Sequence, residues 1–363
     1  MKIRSRDLRI LCIQYAQALI ITIILGGILI RAQGESPTEA LKYILEGAVG
    51  SPTAIANTLR WATPCMFTGA AVTLAFKSGI MNCGIQGQVY TGALTAAIIG
   101  YALPMPKFLH MPICILAAGI VGMLYALIPA LMKLYLKVDE LITTLMLCFV
   151  ATYLTEYIVI WMIIGEKVDA TRSMANTSPN ILETAEIPKL IQGTSTSYGL
   201  FLGVAVLIII SLVYRHTVIG YEMKQMGENL SFSRAGGVNT SKMFLGVFLI
   251  SGFIAGLCGG VEVTGSYGRF NINFSGNIGW DGIMIARIAG NNPLSVIAVS
   301  LIWGALKAGS MQMERMTSLN RLSVNIIQML FVLFVAIDYE KLIAEFNRRK
   351  ATAKFKRQEE MKC

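Results

Sequence analysis

Long apolar runs alternate along this chain with short polar interruptions. Runs suited to helices fall at about 10–30, 53–76, 84–103, 111–136, 141–164, 198–214, 243–264, 279–290, 294–310 and 323–338. A helix needs about 20 consecutive apolar residues to cross the hydrocarbon core of a bilayer. Most of these runs approach that length, whereas a buried strand would use only about four to eight residues. The pattern therefore predicts an all-α fold, a polytopic membrane helical bundle of about ten spans, with the short run at 279–290 as a short or broken helix. Two polar segments are long enough to have a task of their own. Residues 165–197, an external loop, carry Pro179, Pro188 and the run Thr194-Ser195-Thr196-Ser197; they cap the outer mouth of the bundle, meet a delivery protein, or form a solvated linker. Residues 215–242 read RHTVIGYEMKQMGENLSFSRAGGVNTSK. Their helix-start polar residues, glycine punctuation and mixed charge predict one or two short helices outside the bilayer, a docking surface for a partner.

Composition agrees with this pattern. Of 363 residues 55% are hydrophobic and only 14% charged, against roughly 25% charged in soluble domains. A water-soluble fold could not hide so much apolar surface. The formal charge of +10 would suit nucleic acid if it were clustered, but the basic residues sit at span ends and in the last stretch, which is the positive-inside pattern. No nucleic-acid partner is expected. Residues 1–9, with Lys2, Arg4, Arg6 and Arg9, read as a cytoplasmic N-terminus, and the run after them is too long for a signal-peptide core, hence an uncleaved first span. Ten crossings return residues 339–363, a basic tail with Arg348, Arg349, Lys350, Lys354, Lys356 and Arg357, to the cytoplasm. On this topology 19 Lys and Arg fall on the cytoplasmic side and 10, Arg60 among them, on the external side; Arg287 and Lys307 stay unassigned within or near spans. The seven cysteines form no C-x-x-C pair, so they read as small core residues rather than a zinc site or disulfide framework.

Enzymatic readings find no support. The chain has no G-x-x-x-x-G-K-[ST] and no H-E-x-x-H, and its two histidines, His110 and His216, lie in separate loops. No metal or catalytic residue is expected, and the chain is expected to move something. Ionisable residues inside spans are functional candidates because a charge in hydrocarbon is expensive. They are Glu156, Glu262, Asp281 and Arg287. Glu156 and Glu262 fall toward the outer ends of their helices, where snorkelling or a helix–helix ion pair competes with a role in transport. Asp281 and Arg287 share the short segment.

That segment also belongs to a repeated motif. Asn82-Cys-Gly84-Ile-Gln86-Gly87 and Asn277-Ile-Gly279-Trp-Asp281-Gly282 both read N-x-G-x-x-G, each after a Phe, Ser and Gly. With 14 Asn and 34 Gly in the chain, composition alone predicts about 0.1 such occurrence. Glycine with Asn, Gln and Asp weakens a helix and frees backbone groups, which is tolerable at membrane depth only inside protein or along a watery cavity. Both copies are therefore pathway candidates, with Asn82, Gln86, Gln88, Asn277, Trp280 and Asp281 as the residues facing substrate; close helix packing is the alternative. In the ten-span topology the first copy opens a helix at the cytoplasmic face and the second at the external face, as an inverted repeat would. Gly252, Gly256, Gly259 and Gly260 are better explained by close packing. Phe270, Phe274 and Trp280 either stack on a ligand or anchor at the interface.

Together, Ser78–Gln88, then Met226-Gly227-Glu228-Asn229 with Ser233–Asn239, then Gly279–Ala286 with Gly290-Asn291-Asn292-Pro293-Leu294 resemble the permease subunits of ABC importers. Within these the similarity is to the nucleoside-type branch of the ribose and branched-chain amino acid permease group. It spans about 50–340, and it departs at Cys83 and Gln86, where the family usually carries an aliphatic residue and Glu. The resemblance implies a single transmembrane permease domain over 1–363 in the plasma membrane. It implies three protein partners: a cytoplasmic ABC ATPase, a second homologous permease and an extracytoplasmic substrate-binding lipoprotein. It also implies that Gly227, Glu228, Asn229, Arg234, Ala235 and Gly236 couple to the ATPase, with ATP and Mg held there and no cofactor on this chain. Nucleosides are the implied substrates, simple sugars or branched-chain amino acids the alternatives, and an ion-coupled carrier a more distant one.

Overall fold

The computed structural model describes residues 5–164 and 177–336. Lys2, Arg4, the first part of the polar segment at 165–197 and the basic tail lie outside the described residues. Thirteen α-helices account for nearly all of the described chain: α1 (Ser5–Ala32), α2 (Pro37–Val49), α3 (Pro52–Lys77), α4 (Ile85–Ala102), α5 (Lys107–Leu136), α6 (Glu140–Ile158), α7 (Gly199–His216), α8 (Val218–Glu228), α9 (Leu230–Ala235), α10 (Thr240–Glu262), α11 (Ile278–Ile288), α12 (Pro293–Met316) and α13 (Arg321–Ala336). Each of the ten predicted apolar runs coincides with a helix. Five described segments are long and apolar enough to cross a membrane by themselves: 107–136, 140–161, 199–216, 240–267 and 293–316. Both α6 and α10 end in a turn of π-helix, at Val159–Ile164 and Val263–Tyr267. No strand forms among the described residues; Thr177 with Asn271 and Lys189 with Ser197 make isolated bridges.

Local sequence explains the helix ends. Ser51 caps α3, its hydroxyl accepting from Ala54 N at 3.1 Å, and Pro52 sits in the first turn, where its missing N–H costs nothing. Asp139 caps α6 through Leu141 N, Thr217 caps α8 through Gly220 N, and Asn239 caps α10 through Lys242 N. Residues 215–242 thus form two short helices, as expected.

The helices group into two compact units, Tyr43–Gln312 and the described parts of 1–42 with 313–363. In the smaller unit α1 packs on α13, with Gly26 beside Ile327. Its loop ends are tied by Glu35, whose carboxylate accepts from Ser318 N at 3.0 Å and Ser318 Oγ at 2.7 Å. In the larger unit α10 is the central helix, packed by α5, α4 and α3. The most apolar stretch of α10 is 67% buried, that of α5 only 28%, so α10 faces protein and α5 faces outward. Leu116, Ile120, Leu124 and Ile128 form the exposed stripe of α5, one residue per turn. Such stripes would be aggregation sites in water and are natural in lipid.

Close contact between α10, α4 and α5 depends on glycine. A side chain added at Gly256 would fall 3.0 Å from the Cα atoms of Gly119 and Gly122, and one at Gly259 would fall 2.6 Å from Ala93 N. These glycines serve packing, as their spacing suggested. Gly256→Leu is expected to force the three helices apart and destabilise the bundle by roughly 1–3 kcal/mol or more. Gly246→Ala, with nothing within 4 Å of the added methyl, should leave stability unchanged or slightly raised. Thermal unfolding of the detergent-purified variants checks both.

Candidate functional site

The two motif copies meet. Gln86, in the first turn of α4, accepts from Gly279 N through Oε1 at 2.6 Å and donates through Nε2 to Ser275 Oγ. One side-chain amide therefore bridges both copies, and Gly279 lies so close that an added Cβ would sit 2.5 Å from Gln86 Cα. Gly282 faces Thr68 of α3 in the same way. The expectation that the copies stand at opposite faces of the bundle is corrected: both helices begin at one place in its interior. The reason lies in the non-helical backbone before α4. After α3 ends at Lys77 and Gly79 turns the chain with φ +74°, Ile80 and Asn82 run back into the bundle fully buried.

That buried backbone has its polar groups satisfied, as a water-poor environment requires. Cys83 N donates to Thr144 Oγ1 at 3.2 Å, and Gly84 N to Asn82 Oδ1 at 3.1 Å. Asn82 Nδ2 donates to Ser251 Oγ at 3.0 Å and to Gln88 Oε1, Gln88 Nε2 returns a bond to Asn82 Oδ1, and Ser251 Oγ donates to Ala71 O. Asn82 and Gln88 are thus occupied in joining α3, α4 and α10. Asn277 stands exposed at the start of α11 with φ +71°, and Trp280 is partly exposed.

Asp281 is buried and forms an ion pair with Lys307 of α12, not with Arg287, which is exposed at the end of α11. A second buried pair lies nearby. Arg60 Nη2 contacts Glu262 Oε2 at 3.0 Å, with side chains 8% and 1% exposed. Arg60, expected on the external surface, is instead an interior residue of α3, and Glu262 pairs across helices rather than snorkelling. Trp61 joins the pairs: the Arg60 guanidinium lies 4.0 Å and the Lys307 ammonium 5.1 Å from its ring centroid, and Tyr267 faces Arg60 at 4.9 Å. Two cations, two anions and two aromatic rings from α3, the end of α10, α11 and α12 make one neutral cluster. Sequence reading missed Arg60, Trp61, Tyr267 and Lys307 as members. The available signal was Lys307, a cation left unassigned beside a span near others that held acids; nothing in the sequence singled out Arg60.

The described part of the 165–197 segment is no solvated linker. Residues 177–198 lie against the turn after α10: Ile181 N donates to Gly268 O, Ile187 N to Thr264 O, and Lys189 Nζ to Gly265 O at 2.6 Å. Thr196 Oγ1 donates to Ala56 O of α3 at 2.5 Å. Burial holds the Lys189 ammonium below the usual lysine range, with Glu186 opposing the shift. Phe270 and Phe274 are buried, their rings 5.3 Å apart, and the Tyr90 ring lies 5.0 Å from that of Phe274, tilted by 54°. They are core packing, neither at a lipid interface nor open to a ligand.

At the opposite end of α3, Gly227 of α8 sits on the turn Lys77–Gly79, where an added Cβ would be 3.1 Å from Gly79 N. Tyr214 donates to Leu74 O at 2.9 Å and lies 3.1 Å from Ser78 Oγ. Glu228, Asn229, Arg234, Ala235 and Gly236 are exposed, alongside Leu230 and Phe232; Asn229 caps α9 through Phe232 N, and Arg234 Nε donates to Thr240 Oγ1. No cluster of His, Cys, Asp and Glu suited to a metal exists among the described residues.

Broken helices meeting inside an apolar bundle, charges paired in its interior and an exposed two-helix elbow at one end are the build of a membrane transport subunit rather than an enzyme. The chain belongs to the branched-chain amino acid transport system permease component family, which matches residues 54–336. It is 28% identical to the guanosine ABC transporter permease NupP of Bacillus subtilis, covering 89% of this chain and 92% of that protein. It is 25% identical to the nucleoside ABC transporter permease NupB of Lactococcus lactis, with 93% of each covered. It is 29% identical to the glucose ABC transporter permease TsgB13 of Haloferax volcanii, covering 89% and 85%. No solved structure shows significant similarity.

Removing one partner of a buried ion pair costs about 3–5 kcal/mol. Lys307→Met is expected to lower stability by about that amount by stranding Asp281, and Lys307→Met with Asp281→Asn to recover most of it. Thermal unfolding of the single and double variants gives the coupling.

Proposed function

We propose that this chain is the permease of an ATP-driven importer of nucleosides, paired with a second permease. The observation that carries the reading is similarity over almost the whole length to guanosine and nucleoside ABC permeases. The chemistry of the interior supports it: amides, a hydroxyl and balanced charge suit a neutral, polar, hydrogen-bonding substrate. Substrate delivered by an external binding lipoprotein passes Trp280, Asp281 and the Gln86–Gly279 junction. The end carrying α8 and α9 faces the cytoplasm, as do both termini, and the exposed residues Glu228–Gly236 receive the ATPase, which holds ATP and Mg. Closure of the ATPase pair presses Gly227 on the Lys77–Gly79 turn, which leads directly into the buried segment at Asn82 and so to the junction of the two motif copies.

Labelled guanosine uptake is measured in cells expressing this chain with its partner subunits, with active or inactivated ATPase, against excess nucleosides, ribose, glucose or leucine. Competition by nucleosides alone and loss of uptake with the inactive ATPase are expected. Competition by glucose, favoured by the likeness to the Haloferax permease, would replace the substrate, and uptake indifferent to the ATPase would overturn the mechanism. Arg234→Glu is expected to abolish co-purification of the ATPase. Gly227→Val is expected to retain the ATPase but lose about tenfold or more of uptake, because a side chain there displaces the turn it rests on.

A further inference from the structure

The Arg60–Glu262 pair is half used. One nitrogen and one oxygen bond each other, while Arg60 Nη1 and Glu262 Oε1, both buried, have no hydrogen-bond partner among the described residues. Leaving such groups unsatisfied is costly, the more so when they are charged. A pair built for stability would be bidentate, since guanidinium and carboxylate match fork to fork. Trp303 Nε1, one turn before Lys307 on α12, is likewise buried with no partner among the described residues. The free donor and free acceptor sit on a cluster whose charges already balance, between the partly exposed rings of Trp61 and Tyr267.

We propose that Arg60 and Glu262 form a recognition subsite for an adjacent carbonyl and N–H on a neutral ligand, the lactam edge of a nucleobase. The carbonyl accepts from Arg60 Nη1, and the N–H donates to Glu262 Oε1. This deepens the nucleoside reading and rests on it. Charge balance between Arg60, Lys307, Glu262 and Asp281 excludes ligands that bring a net charge, so nucleosides enter and their phosphates do not. Access requires the 177–198 segment to leave its bonds to Gly265 and Ala56, which are the contacts that cover this end of α3 and α10.

The test compares uptake of inosine with that of N1-methylinosine, which keeps the carbonyl but has no N–H, in wild type and Glu262→Gln with identical partner subunits. A site built to bond an N–H rejects the ligand lacking it strongly, so the wild type is expected to favour inosine by about tenfold or more. In Glu262→Gln the amide oxygen must stay on Arg60, which offers only donors, so an NH2 replaces the free acceptor. The preference is expected to fall to within about twofold in whatever uptake the variant retains. An unchanged preference in a variant that still transports would overturn the subsite while leaving the nucleoside reading intact. Failure of wild type to carry any nucleoside would overturn that reading instead. Should Glu262→Gln fail to fold, the wild-type comparison decides: equal uptake of inosine and N1-methylinosine would overturn the proposal.

Discussion

A bilayer offers no hydrogen bonds to an exposed peptide group, and this constraint shapes the larger unit of the molecule. The chain breaks its helices twice in the interior, before α4 and before α11, and each break frees backbone donors. The side chains that answer them come from the motif itself: Asn82 bonds Gly84 N, Gln86 bonds Gly279 N, and Thr144 from α6 bonds Cys83 N. Glycine makes these bonds possible by letting backbones approach within a side chain's reach. At this junction the Gln86 amide accepts from Gly279 and donates to Ser275 at once.

The same constraint governs the charges. Four ionised groups from α3, α10, α11 and α12 cancel one another around Trp61, and aromatic faces stabilise the two cations. Their arrangement is costlier than an apolar core of the same volume would be, and one pair leaves half its bonding capacity free. Such an arrangement suits the proposed path for a polar substrate. The ordered segment at 177–198 covers one end of this cluster, and the α8–α9 elbow rests on the turn that leads to the motif junction at the other end of α3. Two distant surfaces thereby reach the interior through one helix.

Much of this was legible in the sequence because hydrophobic runs report helices directly. All ten predicted runs became helices, the 215–242 segment became two short ones, and the glycines of α10 packed as their spacing implied. What failed to read was pairing. Arg60 was assigned to the surface because it stands eight residues into a run that seemed to begin outside, and positive charge near a span end is ordinarily solvated. Asp281 has Arg287 as its nearest cation along the chain, six residues away, yet six positions on a helix turn side chains about 120° apart, and its partner Lys307 lies on the next helix. Phe270 and Phe274, in a polar connection, read as ligand-stacking or interface-anchoring rings and are instead buried against Tyr90.

Sequence alone determined the class of structure and the elements, since apolar length, helix caps and glycine spacing act within one segment and need no neighbour. It also determined that two glycine-rich motifs interrupt the helices. Only the tertiary structure decided that these motifs converge on Gln86 and that Arg60 meets Glu262 and Lys307 meets Asp281. Those contacts join positions some 25 to 200 residues apart, and the energy of a buried charge depends on which helix stands beside it.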